Sequence, residues 1–511
     1  MMKTSTGLFE LIHSLSMAEK KYFKMFSSLQ SGDKSYLKLY DAIAKQSSYN
    51  EDAIRSAYRG EKFLQQLPVA KNRLYNNILK SLEIYHRSAD INLRRQMNKT
   101  EILLEKGLAT QALKLLKDSK AIAYEHERWE LLMEILDMEK TPYAETDLLK
   151  MPHINEEKET VLEKLNNLKD YQKIHHEITQ RIQEAGTMRT KKELSFVTEL
   201  MRHPLLRNSK QAICAEAKAY YYEIWSFYYY FKRDFIKGHK ISKEQYGFIE
   251  THLHQLRYPD KRHLFALNIS TIFTGYLLPI RHSMYDEMQE ALQKIRAYST
   301  ASHTLKATFW TYSYLNELNA FMQIGDFEKV FPALKAIQGN ENLLNQATDI
   351  ARIGIYYNIA YMLFGTGSYN EALYWIRKAM DQHTNTFRQD FQGSARILDL
   401  LIHYELHKDE ELLDSLKRST THFLATRHRL FKVEEALMHC LHQIMGKLIS
   451  RKKRSTAFQE FKTSLLKLMK NPMEKAAMEN FDFLSWVESK IQNKTFAEVV
   501  REKAKFKKLA D

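Results

Sequence analysis

Apolar side chains recur three and four residues apart over most of this chain, and the clearest run lies at residues 356–379. Large apolar groups stand at Tyr356, Ile359, Leu363, Tyr369 and Ile376, and small ones at Ala360, Ala372 and Ala379. Residues at that spacing share one face of a helix. Gly367-Ser368-Tyr369 interrupts the run, and glycine is the residue that most readily closes a helix. The stretch predicts two helices joined by a turn. Its small residues let the pair approach, and its large ones fill the space towards a neighbouring pair.

The pattern repeats. Phe321 precedes Gly325-Asp326-Phe327, and Val330, Leu334 and Ile337 follow it. Leu400 and Tyr404 precede Lys408-Asp409-Glu410, with Leu413 and Leu416 after. Leu441, Ile444 and Leu448 precede Ala457, Phe461 and Ser464. Turns are expected near 325, 367, 408 and 452, about 42 residues apart. Upstream, Tyr222, Trp225, Ser226 and Tyr229 lead into Arg233-Asp234-Phe235, with a small residue at Gly238. Gly107 separates Leu103 from Ala112, Leu116 and Ser119. Met284-Tyr285 marks a weaker turn, because Pro279 interrupts the helix before it. Pro332 lies inside a second helix and predicts a kink or a later start. One helical pair cannot bury its apolar face alone, so such units must stack.

The ends of the chain read differently. Ser16-Met17-Ala18-Glu19 is a capping box opening a helix from Ala18 to about Ser28. Residues 35–45 are amphipathic, Asn50 caps the next helix, and a longer one follows Pro68 over 69–88. Residues 156–203 read as a charged helical hairpin turning near Gly186-Thr187. After Asn471-Pro472 a capping helix pair leads into a basic tail with Lys503, Lys505, Lys507 and Lys508.

The repeating pairs resemble tetratricopeptide repeats, over about residues 96–140 and 215–470. The resemblance implies an all-α fold, a right-handed superhelical stack of helical hairpins. Its parts are an N-terminal helical module (1–90), the repeats (91–470) and C-terminal capping helices with the tail (471–511). It also implies a concave face that binds extended or helical segments, and hence a non-enzymatic scaffold for a protein or peptide partner. Carried onto this sequence, the register turns Tyr220, Phe227 and Tyr230 to that face, with Tyr312, Asn319 and Gln323, and Tyr357, Tyr361 and Phe364. Tyr222, Trp225 and Tyr229 fall inside the stack. One subclass of the family grips chaperone C-terminal carboxylates. Of its polar clamp only Asn319 has a counterpart, and Tyr357 and Phe227 stand where that clamp needs polar groups. A second subclass joins a DNA-binding helix-turn-helix to such repeats. That implies an alternative, a nucleic-acid-binding regulator using Lys71, Arg73 and Lys80.

Composition narrows the field. The chain has 511 residues with only 15 Gly and 8 Pro, so helix breakers are sparse. Nine aromatics crowd the twelve positions 220–231. The net charge is +15, which favours an acidic partner. Arg451-Lys452-Lys453-Arg454 is the densest basic run. It falls where the register places an interhelical turn, and it belongs with the nucleic-acid alternative. Cys214 and Cys440 fit no zinc spacing and no disulfide framework. With no leader-like N-terminus and no apolar run of spanning length, a cytoplasmic place is expected. No phosphate-binding loop, metal-ligand spacing, cofactor motif or catalytic constellation stands out. His403 and His407 lie one helical turn apart without the glutamate spacing of a metalloprotease helix.

Overall fold

The computed structural model describes residues 4–29, 35–146, 148–185, 190–281, 283–381, 389–407, 409–445 and 449–509. These form α-helices, short 3-10 turns and connections, with no strand among the described residues. The chain divides into two compact units, residues 1–165 with 301–303, and residues 166–300 with 304–511.

The first unit opens with α1 (Thr4–Ser14), α2 (Met17–Ser28), α3 (Ser35–Ala44), α4 (Glu51–Ala57) and α5 (Leu67–Tyr85). They share a core of Leu8, Ile12, Phe23, Leu39, Ile43, Leu74 and Ile78. α5 is its hub, packed on α1, α2 and α3. The capping box forms as the sequence predicts: Ser16 N donates to Glu19 Oε2 (2.6 Å), and Glu19 N donates to Ser16 Oγ (3.2 Å). Asn50 Oδ1 accepts from Ala53 N at 3.0 Å and starts α4. Then come α6 (Ala89–Glu105), α7 (Ala109–Glu125), α8 (Trp129–Thr146) and the start of α9 (Met151–Ala185). Lys120 on α7 ties α7, α8 and α9 together, reaching Glu139 at 2.9 Å and Glu157 at 2.7 Å.

The second unit takes the rest of α9 and continues through α10 (Lys191–Leu200), α11 (Ala215–Lys232), α12 (Phe235–His252), α13 (Pro259–Leu277), α14 (Met284–Ala297) and, from residue 304, α15 (His303–Ile324). It goes on through α16 (Val330–Gln338), α17 (Glu341–Gln346), α18 (Asp349–Thr366), α19 (Tyr369–Met380), α20 (Gln389–Glu405), α21 (Glu410–Thr426), α22 (Lys432–Ile444) and α23 (Arg451–Leu468). α24 (Pro472–Lys475), α25 (Phe483–Gln492) and α26 (Phe496–Leu509) end it. Consecutive helices pack side by side, α11 on α12, α12 on α13, α18 on α19, and α22 on α23.

One turn geometry recurs. Helices end on a left-handed residue at Gly107, Glu127, Arg233, Gly325, Gly367, His428 and Asn493. In each case the next amide donates to the carbonyl five residues back, as in Asp234 N to Tyr229 O and Ser368 N to Leu363 O, at 2.8–3.0 Å. This Schellman closure satisfies carbonyls that a helix end leaves open. Between the hairpins, small residues carry the closest approaches. A Cβ on Gly238 would stand 2.0 Å from the ring of Phe273, and one on Gly365 2.3 Å from that of Phe327.

The turns predicted at 325 and 367 are there. The third has its left-handed residue at His407; Lys408 lies outside the described residues, as do Leu448, Gly186 and Thr187. The fourth is corrected. Residues 451–454 form no turn but the first turn of α23, because Ser450 caps that helix. Met284-Tyr285 likewise opens α14 instead of turning. α16 starts at Val330, so Pro332 occupies its first turn, where a missing N–H costs nothing.

Candidate ligand-binding surface

The left-handed residues give a common register for α11, α15 and α18. Six positions before each stand Phe227, Asn319 and Tyr361; three before stand Tyr230, Met322 and Phe364. The sequence-derived surface therefore coincides with one helix side at Phe227, Tyr230, Asn319, Tyr361 and Phe364.

On α11 this side is partly exposed. Tyr230 is 38% exposed, its hydroxyl 3.4 Å from that of Tyr276, whose ring stacks on Phe235 at 4.2 Å. Phe227 is half-buried and meets Phe265 edge-on at 6.2 Å. Tyr220 is half-buried under the Arg262 guanidinium, 4.2 Å from its ring.

Beneath these rings lies an ionic cluster that the sequence reading missed. Arg262 on α13 donates to Glu223 Oε1 at 2.6 Å and through Nε and Nη2 to Glu216 Oε1. Glu216 also accepts from Arg257 N at 3.1 Å, and His175 Nε2 approaches Glu223 Oε2 to 2.9 Å. Burial pushes the Glu223 carboxyl up, but Arg262 and His175 more than offset this and hold it below the usual carboxylate range. Burial alone would depress the Arg262 guanidinium; Glu223 and Glu216 raise it instead. The sequence signal was the pair Glu216 and Glu223, two turns apart on an otherwise aromatic helix. Nothing local pointed to Arg262.

On α15 the surface is more polar. Asn319 is exposed, its Oδ1 accepting from Asn358 Nδ2 at 2.9 Å. Tyr312 and Gln323 are half-buried, and Tyr312 meets Phe309 edge-on at 5.7 Å.

On α18 the predicted open surface is covered. Tyr357, Tyr361 and Phe364 are all buried, and the chain's own segment 480–501 lies on them. Tyr357 Oη donates to Asn480 O at 2.7 Å, and Asp482 N donates to Tyr361 Oη at 3.1 Å. Phe481 packs on Tyr361 (5.2 Å) and Phe364 (5.4 Å), and stacks on Phe496 at 5.6 Å. Arg501 Nε donates to Gly325 O at 2.8 Å, and Trp486 Nε1 to Glu405 Oε1 at 2.8 Å. Burial, and then Asp482, raise the Tyr361 phenol well above its usual range, so it stays protonated. The register argument missed the cover because it treats each hairpin as if it met only its neighbours.

The nucleic-acid alternative at the N-terminal module loses a member. Lys71 is buried, held by Glu51 at 2.6 Å and by Tyr49 Oη at 3.1 Å. It serves the core of the module and meets no outside phosphate. Arg73 and Lys80 are exposed on α5, as are all of Arg451, Lys452, Lys453 and Arg454 on α23. His403 is buried, with Nδ1 2.8 Å from Asp399 O, whereas α20 ends before His407, so the two imidazoles do not converge. Among the described residues, no group of three or more His, Cys, Asp or Glu is arranged to hold a metal, and no helix is long and apolar enough to cross a membrane. Cys214 and Cys440 are both buried, and burial pushes the Cys440 thiol up to about 12. The side chains of Lys505, Lys507 and Lys508 lie outside the described residues.

No protein-family model matches the chain, and no curated protein or solved structure matches it significantly.

Proposed function

We propose that this chain is a non-enzymatic scaffold whose second unit, a right-handed stack of tetratricopeptide-like hairpins, binds a protein or peptide segment along one side of α11, α15 and α18. One observation carries the reading. On α18 this side already holds a stretch of polypeptide, and two tyrosine hydroxyls hydrogen-bond its main chain at Asn480 and Asp482. Main-chain bonds give affinity without regard to sequence, and flanking pockets give selectivity. Phe481 supplies the side chain between those bonds. On α11 the positions that match Tyr361 and Phe364 hold two further aromatics, the half-buried Phe227 and the exposed Tyr230. Aromatic rings bury much area at small entropic cost, which suits them to peptide contact.

Selection of a displayed peptide library on the full chain tests this. Selected peptides should bind Tyr230→Ala, and Phe227→Ala with Tyr230→Ala, at least tenfold more weakly, with the helical circular dichroism of both variants intact. Tyr230 is exposed, so its single variant keeps the test sound if the double variant loses structure. Selected peptides that bind all forms equally, or a library that yields none, would overturn the reading.

A further inference from the structure

We propose that the first turn of α23 is a docking site for the phosphate backbone of a nucleic acid. The proposal does not depend on the peptide surface. Arg451, Lys452, Lys453 and Arg454 are the first four residues of this helix, and all are exposed. Successive helical residues point about 100° apart, so the four cations ring the helix end. Like charges at the first and fourth positions are neighbours on the surface and repel. The helix end itself carries partial positive charge, which disfavours cations there. No acidic residue stands in this turn. Among the described residues none of the four meets a carboxylate, whereas other lysines of this region do. Lys462 and Lys503 share Glu488, at 2.9 and 2.7 Å, and Lys490 holds Glu405 at 2.6 Å. Four cations are thus gathered where the helix repels them and where no carboxylate among the described residues repays the repulsion.

A phosphate chain reverses every one of these terms. Guanidinium groups take phosphate oxygens two at a time. Ser450 Oγ satisfies only the Lys453 amide, at 3.3 Å. The amides of Arg451 and Lys452 are first-turn donors without an intrahelical acceptor, directed outward as in other anion sites. A membrane surface fits less well. Peripheral helices that bind lipid bury an apolar face beside their cations, and the large exposed apolar residue of α23 is Leu466, near its far end. That is about 22 Å away along the axis.

The test is fluorescence anisotropy of a labelled 20-base-pair duplex, and of its single strand, with the full chain between 25 and 200 mM NaCl. Affinity for at least one of them should fall with salt, and the four cations should contribute about −3.6 to the log–log slope if all of them engage a duplex. Substituting Arg451, Lys452, Lys453 and Arg454 together by Gln should weaken binding at least tenfold and flatten the slope. The same variant should melt at a higher temperature than the parent, because the repulsion is gone; a merely misfolded variant would not. Substituting the exposed Lys261, Lys306, Lys329 and Lys335 by Gln removes equal charge elsewhere and should change affinity less than twofold. The proposal fails if neither probe binds at 25 mM NaCl, or if the two quadruple variants lose affinity equally. It also fails if the 451–454 run governs binding to vesicles with 30% anionic lipid but not to either nucleic acid.

Discussion

Replacing Gly238 by Ala sets two principles against each other with opposite signs. Gly238 lies inside α12, in ordinary helical backbone. There alanine is the better helix former by about 0.5–1 kcal/mol, so propensity alone predicts a more stable protein. The packing says otherwise. The new Cβ would stand 2.0, 2.4 and 2.5 Å from Cε1, Cζ and Cδ1 of Phe273, a residue only 1% exposed. Carbon atoms at rest keep about 3.5–4.0 Å, so ring or helix must move by more than an ångström in a close-packed interior. Overpacking of that kind costs about 1–3 kcal/mol. The expected net effect is a loss of about 1–2 kcal/mol, read as a lower urea midpoint by circular dichroism at unchanged slope. Phe273→Leu on its own should also destabilise, by leaving space. The two changes together should lose less than their sum, with a coupling of about 0.5–3 kcal/mol. A Gly238→Ala protein as stable as the parent or more so, or a double variant that is simply additive, would show that α12 and α13 do not meet through this contact.

The turns give a paired test. His428 is exposed and left-handed, with φ 53°, a conformation that costs an L-residue about 1–2 kcal/mol; His428→Gly should raise stability by up to about 1 kcal/mol in the same urea assay. Gly367 has φ 82° and open space around it, so Gly367→Ala should lower stability by about 1–2 kcal/mol from backbone strain alone.

Local signals were legible in the sequence because local rules govern them. The Ser16–Glu19 box, the Asn50 cap and the glycine turns at 107, 325 and 367 all depend on residues within one helical turn of each other. The small residue at Gly238 was also legible, because a helix pair needs a close approach somewhere. Left-handed turns without glycine, at Glu127 and His428, carry no such mark. The Arg451–Arg454 run was misread as a turn because the repeat was extended past the point where Ser450 resets the helix start. The candidate surface was legible as a helix side and illegible as an environment. Tyr361 meets Asp482, and Glu223 meets Arg262, across 121 and 39 residues, and no periodicity predicts which distant segment arrives.

On the surface proposed above, the ionic cluster governs which groups α11 exposes. Ten positions before the left-handed residue, α18 has Tyr357, which bonds the covering segment, and α11 has Glu223. Glu223 is 2% exposed and engaged by Arg262 and His175, so α11 presents its rings and withholds its charge. Arg262 holds that arrangement. Arg262→Met would leave Glu216 and Glu223 buried without it, and stranding a buried charge costs about 3–5 kcal/mol. The pH dependence follows from the sign. In the parent the Glu223 pKa is lowered on folding, so its contribution is complete above the unfolded value and fades as pH falls through the folded one. In the variant burial is unopposed by Arg262 and the folded pKa rises, so its penalty is complete at neutral pH and fades on acidification. The stability gap between parent and Arg262→Met should therefore be widest near pH 7 and narrow as pH is lowered towards 4. Adding Glu216→Gln and Glu223→Gln should recover much of the loss and remove most of that pH dependence. Urea melts across that range measure both effects. A gap that is constant with pH would mean that Arg262 acts through packing on Tyr220 and not through the two carboxylates.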